Sequence, residues 1–259
     1  MKGKTHLLLK TSLTAVGLLC TFTAPLVAES GPHAIEKVHL KDPKCDPKTS
    51  DEEGCTTIEF NLAYPKDKTI ESAIKLLVIE EVQQAIEQLA PEKKADLLNS
   101  ESLNDLAKRT RDIFDDLFER KEIMRRAKLT VDVKVRDARK RYVNAELGTY
   151  WDVGAAHPAH TSRIKIFDHE QDGKPTTLKE ILSPQELEAF LNILDKKLAQ
   201  QLKESYLRPE QDQMLKLLAE HTEVLEDGYR VVFSPYDVAA YVYGHVEIEI
   251  KNTELNAKH

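Results

Sequence analysis

Apolar residues recur along this chain at two spacings, and the change of spacing divides it into helical and extended regions. From about Thr69 to Ala90 they return every three or four positions, at Ile70, Ile74, Leu77, Val78, Val82, Ile86 and Leu89, which predicts a helix with one buried stripe. A second helical run starts near Ser102, with Asp105 three residues on as a cap. The pattern through Leu106, Ile113, Phe114, Leu117 and Phe118 carries it to about Lys128, where the basic run RKEIMRRAK suits the negative end of a helix dipole. Alternation then takes over. Leu129, Val131, Val133 and Val135 mark one strand in LTVDVKV, RDARK makes a turn, and RYVNAELGTYW alternates again. RIKIFD gives a third strand and DHEQDGKP a turn. Ser183, Pro184 and Glu186 form a capping box ahead of Leu187, Phe190, Leu191, Leu194, Leu198 and Leu202, a third long helix. A shorter helix around 214–219 and the strands YRVVF and HVEIEI close the chain.

Upstream, Ile58, Phe60 and Leu62 alternate in a strand that Tyr64-Pro65 ends, because proline cannot donate to a ladder. Strands joined by hairpins, with helices in blocks, predict an α+β fold: an antiparallel sheet with helices packed on one face and a helical insertion. The expected organisation has a signal peptide at 1–28 and a polar segment at 29–54. An N-terminal strand with helices follows at 55–128, and an α+β region at 129–259 packs with 55–90.

The first 28 residues break the pattern. Lys2, Lys4 and Lys10 precede the apolar stretch LTAVGLLCTF, and Pro25 to Ala28 offers a small residue for cleavage, the layout of a secretory signal. The run is shorter than the roughly 20 residues a bilayer span needs, and no later stretch reaches that length, so no membrane span is expected. Cys20 raises lipidation, but Gly17-Leu18-Leu19 places a bulky leucine where lipoprotein signals carry a small residue. The expected location is periplasmic or secreted. Without residues 1–28 the chain has 34 basic and 44 acidic residues, a net charge of −10. That balance disfavours nucleic acid and anionic lipid and favours a basic partner. Two cysteines remain, Cys45 and Cys55, around the polar loop CDPKTSDEEGC, and an exported chain with an even count favours a disulfide between them.

Candidate chemistry is sparse. The loop GAAHPAHTS (154–162) holds His157 and His160, which with Asp168 and His169 nearby in sequence raise a metal-dependent hydrolase of envelope polymers. Zinc catalysis needs three protein ligands and an open position, and two histidines flanking a proline in a loop do not supply them. There is no Gly-x-Ser-x-Gly elbow, and the nine glycines form no phosphate-cradling cluster. No cofactor is expected. The aromatic residues Tyr150 and Trp151, and the group Tyr236, Tyr241 and Tyr243, fit strand packing or a binding surface, where aromatics carry much of the contact energy.

The closing stretch VVFSPYDVAAYVYGHVEIEI resembles the signature of a family of extracytoplasmic bacterial domains. That family includes the lysozyme-sensing ectodomain of the anti-sigma factor RsiV and the N-terminal module of the polysaccharide deacetylase PdaC. Phe233, Pro235, Tyr236, Asp237, Val238, Ala239 and Gly244 match it, whereas Ala240-Tyr241 stands where the family often has Pro-Tyr. Gly154, Ala156, His157, Gly173, Lys174, Leu178 and Lys179 resemble its middle segment, and IEFNLAYP its opening strand. The resemblance spans roughly 55–90 and 129–251. It implies an exported, non-catalytic binding module, with a lysozyme-type muramidase or a peptidoglycan component as ligand, and with the histidine loop as structure. Candidate contact residues are then Trp151, His157, His160, Tyr236, Tyr241 and Tyr243. An enzyme built on His157 and His160, or a structural envelope protein, are the alternatives.

Overall fold

The three longest helices begin where the side chains of Asp67, Ser102 and Ser183 accept free N–H groups of the first turn. The computed structural model describes residues 34–41, 55–97, 100–154 and 158–256, with the Tyr241 side chain excepted. The expected signal at 1–28, Cys20, Cys45 and His157 lie outside the described residues. No helix among the described residues is long and apolar enough to cross a membrane.

The chain runs β1 (Ala34–Lys41), β2 (Thr57–Tyr64), α1 (Lys68–Leu89), α2 (Lys94–Leu97), α3 (Leu103–Glu119), β3 (Lys128–Ala138), β4 (Tyr142–Asp152), β5 (Ala159–Asp168) and β6 (Lys174–Thr176). Then follow α4 (Leu178–Ile181), α5 (Pro184–Leu202), α6 (Gln211–His221), β7 (Thr222–Leu225), β8 (Gly228–Phe233), β9 (Val246–Lys251) and α7 (Asn252–Leu255). Strands β1 to β6 lie in sequence order in one sheet, and β7 to β9 form a second. All pairs are antiparallel except β2 with β3, which run parallel. The α+β architecture is the expected one. The parallel pair is the exception, and it follows from the helices α1 to α3 inserted between β2 and β3, since a parallel return needs a long crossover.

Two cores lie on opposite faces of the larger sheet. Val143 and Phe167 belong to a core with α1 and α3, which contribute Ile70, Ile74, Val78, Val82, Leu106, Phe114 and Leu117. Their chain neighbours Tyr142 and Ile166 point the other way, into a core with Phe190, Leu194 and Leu198 of α5 and Tyr229, Val231, Phe233 and Ile250 of the second sheet. Asn144 joins the two sheets as a peptide group would. Its Nδ2 donates to the Val224 carbonyl and its Oδ1 accepts from the Val224 N–H, both at 2.9 Å.

The capping box of α5 forms as expected, with the Glu186 N–H donating to Ser183 Oγ at 3.3 Å and the Ser183 N–H to Glu186 Oε2 at 2.9 Å. Two expectations are corrected. Residues 29–54 were expected to be a polar tail, yet Ala34–Lys41 pairs along its whole length with β2 as an edge strand. Only Val38 of that strand is buried, so it carries almost no apolar signal. The second long helix stops at Glu119, nine residues short of the expected end. Lys121 takes φ 60°, and the Glu122 N–H reaches the Leu117 carbonyl at 2.9 Å, closing the helix in the way a glycine usually does. The basic run beyond it ties down the fold instead, with Arg126 Nη1 2.6 Å from Asp115 and Arg125 Nε 3.0 Å from Asp152.

Candidate functional site

The fold separates the residues that the sequence suggested as a metal site. His160 is the second residue of β5 and Asp168 its last, eight positions away, a span of about 26 Å along a strand. Asp168 is 1% exposed and fully engaged: Arg141 donates to it from Nε at 3.0 Å and Nη2 at 2.6 Å, with the Glu170 N–H and Gln171 Nε2 adding two bonds. The guanidinium holds this carboxyl below the usual carboxylate range. His169 turns to Asp67, the N-cap of α1, at 3.2 Å. Among the described residues no three His, Cys, Asp or Glu side chains gather as a metal shell would. Gly154, before the histidines, adopts φ +83°, and a Cβ there would fall 2.8 Å from Arg125 Cγ, so this turn is a packing feature.

The aromatic candidates divide. Trp151 is buried within the α1/α3 core, opposite Leu129 on β3. Tyr236 and Tyr243 are exposed, on the loop between β8 and β9, with Tyr241 in the short turn Tyr241–Tyr243. Val242 beside them is 85% exposed. The loop forms a shallow apolar concavity from Pro235, Tyr236, Ala240, Val242, Gly244 and His245. His160 approaches from the start of β5, its ring 6.2 Å from that of His245 and edge-on to it. The structure thus brings His160, Tyr236 and the 241–243 turn to one surface and removes Trp151 from it. Val242, His245 and Leu207 were not singled out from the sequence. The available signal was an aliphatic residue between two tyrosines in a segment with no periodicity to bury it.

This loop is braced from below. The Asp237 carboxylate accepts the Ser234 N–H at 2.7 Å, the Asp237 N–H donates to the Ser234 carbonyl at 3.1 Å, and the Tyr236 N–H donates to the Ala239 carbonyl at 3.1 Å. Val238 and Ala239 plug into the second core, and the Leu207 N–H holds the Val238 carbonyl at 2.8 Å. Tyr243 Oη and Ser205 Oγ lie 2.6 Å apart. Leu207, Tyr236, Val242 and Tyr243 are four of the seven large apolar residues that stand exposed among the described residues. Clustering of that kind marks an interaction surface, whereas scattered exposed residues do not.

The backbone of Tyr236 adds a second mark. Its φ of 75° lies in the left-handed region, and it is the only aromatic residue among the described ones to do so. The conformation costs an L-residue roughly 1–2 kcal/mol relative to glycine. The surrounding hydrogen bonds hold an exposed tyrosine where a glycine would sit without strain.

Residues 179–253 match a family model described as a protein of unknown function, DUF3298. That span takes in α5, α6, the second sheet and the braced loop. Two solved structures share the fold. One is a DUF3298 family protein from Pseudomonas aeruginosa PAO1, 18% identical, with a TM-score of 0.56 over 88% of this chain and 94% of that one. The other is a member of the same family from Bacteroides fragilis NCTC 9343, 14% identical, with a TM-score of 0.52 over the same shares. No curated protein matches the chain. Over 179–253 the chain is similar to DUF3298, and across most of its length it has the fold of the two DUF3298 family proteins.

Proposed function

We propose that this protein is an exported, non-catalytic binding module of the bacterial envelope that presents the β8–β9 loop to a basic, cell-wall-active protein, a lysozyme-type muramidase being the first candidate. The observation that carries the reading is Tyr236, exposed and held in a strained backbone conformation by bonds on both sides. Local strain of this kind concentrates where a site is pre-organised for a ligand. The resemblance to lysozyme-sensing ectodomains and the charge of −10 without residues 1–28 support the choice of partner.

Calorimetry of the chain lacking residues 1–28 against lysozyme is the test. Charge speeds encounter and is screened beyond roughly 8 Å at physiological ionic strength, whereas desolvated apolar contacts are not. Binding that persists at physiological salt, with inhibition of muramidase activity, is the expected result. Binding that vanishes there would reduce the interaction to charge attraction. Cosedimentation with purified peptidoglycan in place of lysozyme binding would move the partner to the wall polymer.

Export also implies an oxidised Cys45–Cys55 pair. Cys55 is buried just ahead of β2, and Cys45 lies outside the described residues. Closing that loop stabilises a fold by about 3 kcal/mol in the chain-entropy model. Unreduced protein prepared from the periplasm is expected to yield one peptide pair linked through the two cysteines. Two thiols free to react with an alkylating agent would count against both the bond and the proposed location.

A further inference from the structure

His221, the last residue of α6, lies beneath the β8–β9 loop with its side chain 9% exposed. Its Nε2 is 3.3 Å from Asp237 Oδ2, the same oxygen that accepts the Ser234 N–H, and its ring lies against Phe233 at 6.4 Å between centroids. Besides Val238 and Ala239, a buried imidazole therefore ties the loop that carries Tyr236 to the second core.

The charges around this ring come from every neighbouring element. Glu220 precedes it on α6, and Arg163 faces it from β5. Arg136 of β3, Glu146 of β4, Arg230 of β8 and Glu247 of β9 share its cleft. Those four are largely neutralised among themselves and by buried Glu223, which binds Arg136 at 2.8 Å and also Arg230. Burial draws the imidazole below the ordinary histidine value of 6.5, and Arg163 acts in the same sense. Asp237, Glu220 and a hydrogen bond with the Val232 backbone oppose this without reversing it.

We propose that His221 is a positioning residue through which acidification releases the β8–β9 loop. A neutral ring has a single N–H to give, to Asp237 or to the Val232 backbone, and stays dry. A charged ring gains more from water than from the cleft, so opening the loop becomes easier. The sign follows from proton binding. An opened or unfolded state, where the ring titrates normally, binds the proton more readily than the closed one. The stabilisation of the closed loop is complete above the ordinary value of 6.5 and falls as the pH drops below it. As a control on presentation of Tyr236, the device rests on the binding role proposed for that loop.

Amide hydrogen exchange tests it without any partner. The Ser234, Tyr236 and Asp237 amides all bond within the loop. Their protection, corrected for intrinsic exchange, is expected to fall at least about threefold between roughly pH 7.5 and pH 5.5 in the wild-type protein. In His221→Gln, whose side-chain amide donates to Asp237 but does not titrate, protection should not change with pH. Protection that is independent of pH in the wild type, or an equal fall in the glutamine variant, overturns the proposal. Should that variant fail to fold, the imidazole resonances of His221 provide the second measurement. Protection must then follow their titration, and a ring that titrates with no change in protection overturns the device. Loss of lysozyme binding alone, with this exchange behaviour intact, would overturn the binding role and not the device.

Discussion

Replacing Trp151 by alanine is expected to destabilise the protein by about 3–5 kcal/mol, the range for deleting a large aromatic side chain from a packed core. The indole is buried among the residues that α1, α3 and the larger sheet enclose, with Leu129 opposite it on one side and Ala159 on the other. Domains of this kind have a net stability of only about 5–15 kcal/mol, so a loss of that size removes much of it. Urea unfolding should show a much lower midpoint with an unchanged slope. Binding at the β8–β9 loop should survive in whatever fraction stays folded, because Trp151 belongs to the core on the far face of the sheet from that loop. A variant that kept its midpoint but lost its ligand would make Trp151 a contact residue and reverse this assignment.

Tyr236→Gly is expected to act in the opposite sense on the two properties. Relief of the left-handed conformation returns roughly 1–2 kcal/mol. The greater freedom of glycine in the unfolded chain takes back roughly 0.5–1 kcal/mol. A net stabilisation of up to about 1.5 kcal/mol remains. Tyr236→Ala keeps the Cβ and hence the strain, and should show no such gain. Both variants should weaken binding to the proposed partner by about 2 kcal/mol or more, roughly thirtyfold in Kd, if Tyr236 is a central contact. Paired thermal melts and titrations of the two variants check this. Equal melting temperatures for glycine and alanine would remove strain from the account, and unchanged affinity in both would remove Tyr236 from the site.

Elements whose signals are local could be read from the sequence. The capping box of α5 and the stripe of α1 depend on residues within a turn of one another, and both lie where the pattern predicts. The end of α3 could not be read, because a lysine fills the left-handed position that glycine normally announces. Strand β1 was missed because an edge strand with one buried residue has no alternation to display. The parallel pairing of β2 with β3 was also missed, since two half-buried strands alternate alike whichever way they run. Tyr236 and Tyr243 were found by their crowding in a segment without period. Trp151 was misplaced among the contact candidates, although strand parity marked it. It shares a face with Val143, Ala145 and Leu147, while Tyr150 lies on the other. The brace under the loop was invisible, because His221 and Asp237 meet only in the folded chain.

The parallel pair also bears on how the chain is made. Asn61 of β2 donates to Asp132 of β3, a partner 71 residues further on. As the chain emerges from the ribosome, β1, β2 and the first three helices are complete before any of β3 exists. Throughout that interval the stripe of Ile70, Ile74, Val78 and Val82 lacks β3, β4 and β5, most of the sheet that buries it. The β3–β4 hairpin, closed by the turn at Arg139 and Lys140, can zip rapidly once released, but the loop back to β2 closes at a much larger entropic cost. Nascent chains therefore pass through a stage with a long apolar helix uncovered, which is the kind of surface that chaperones hold.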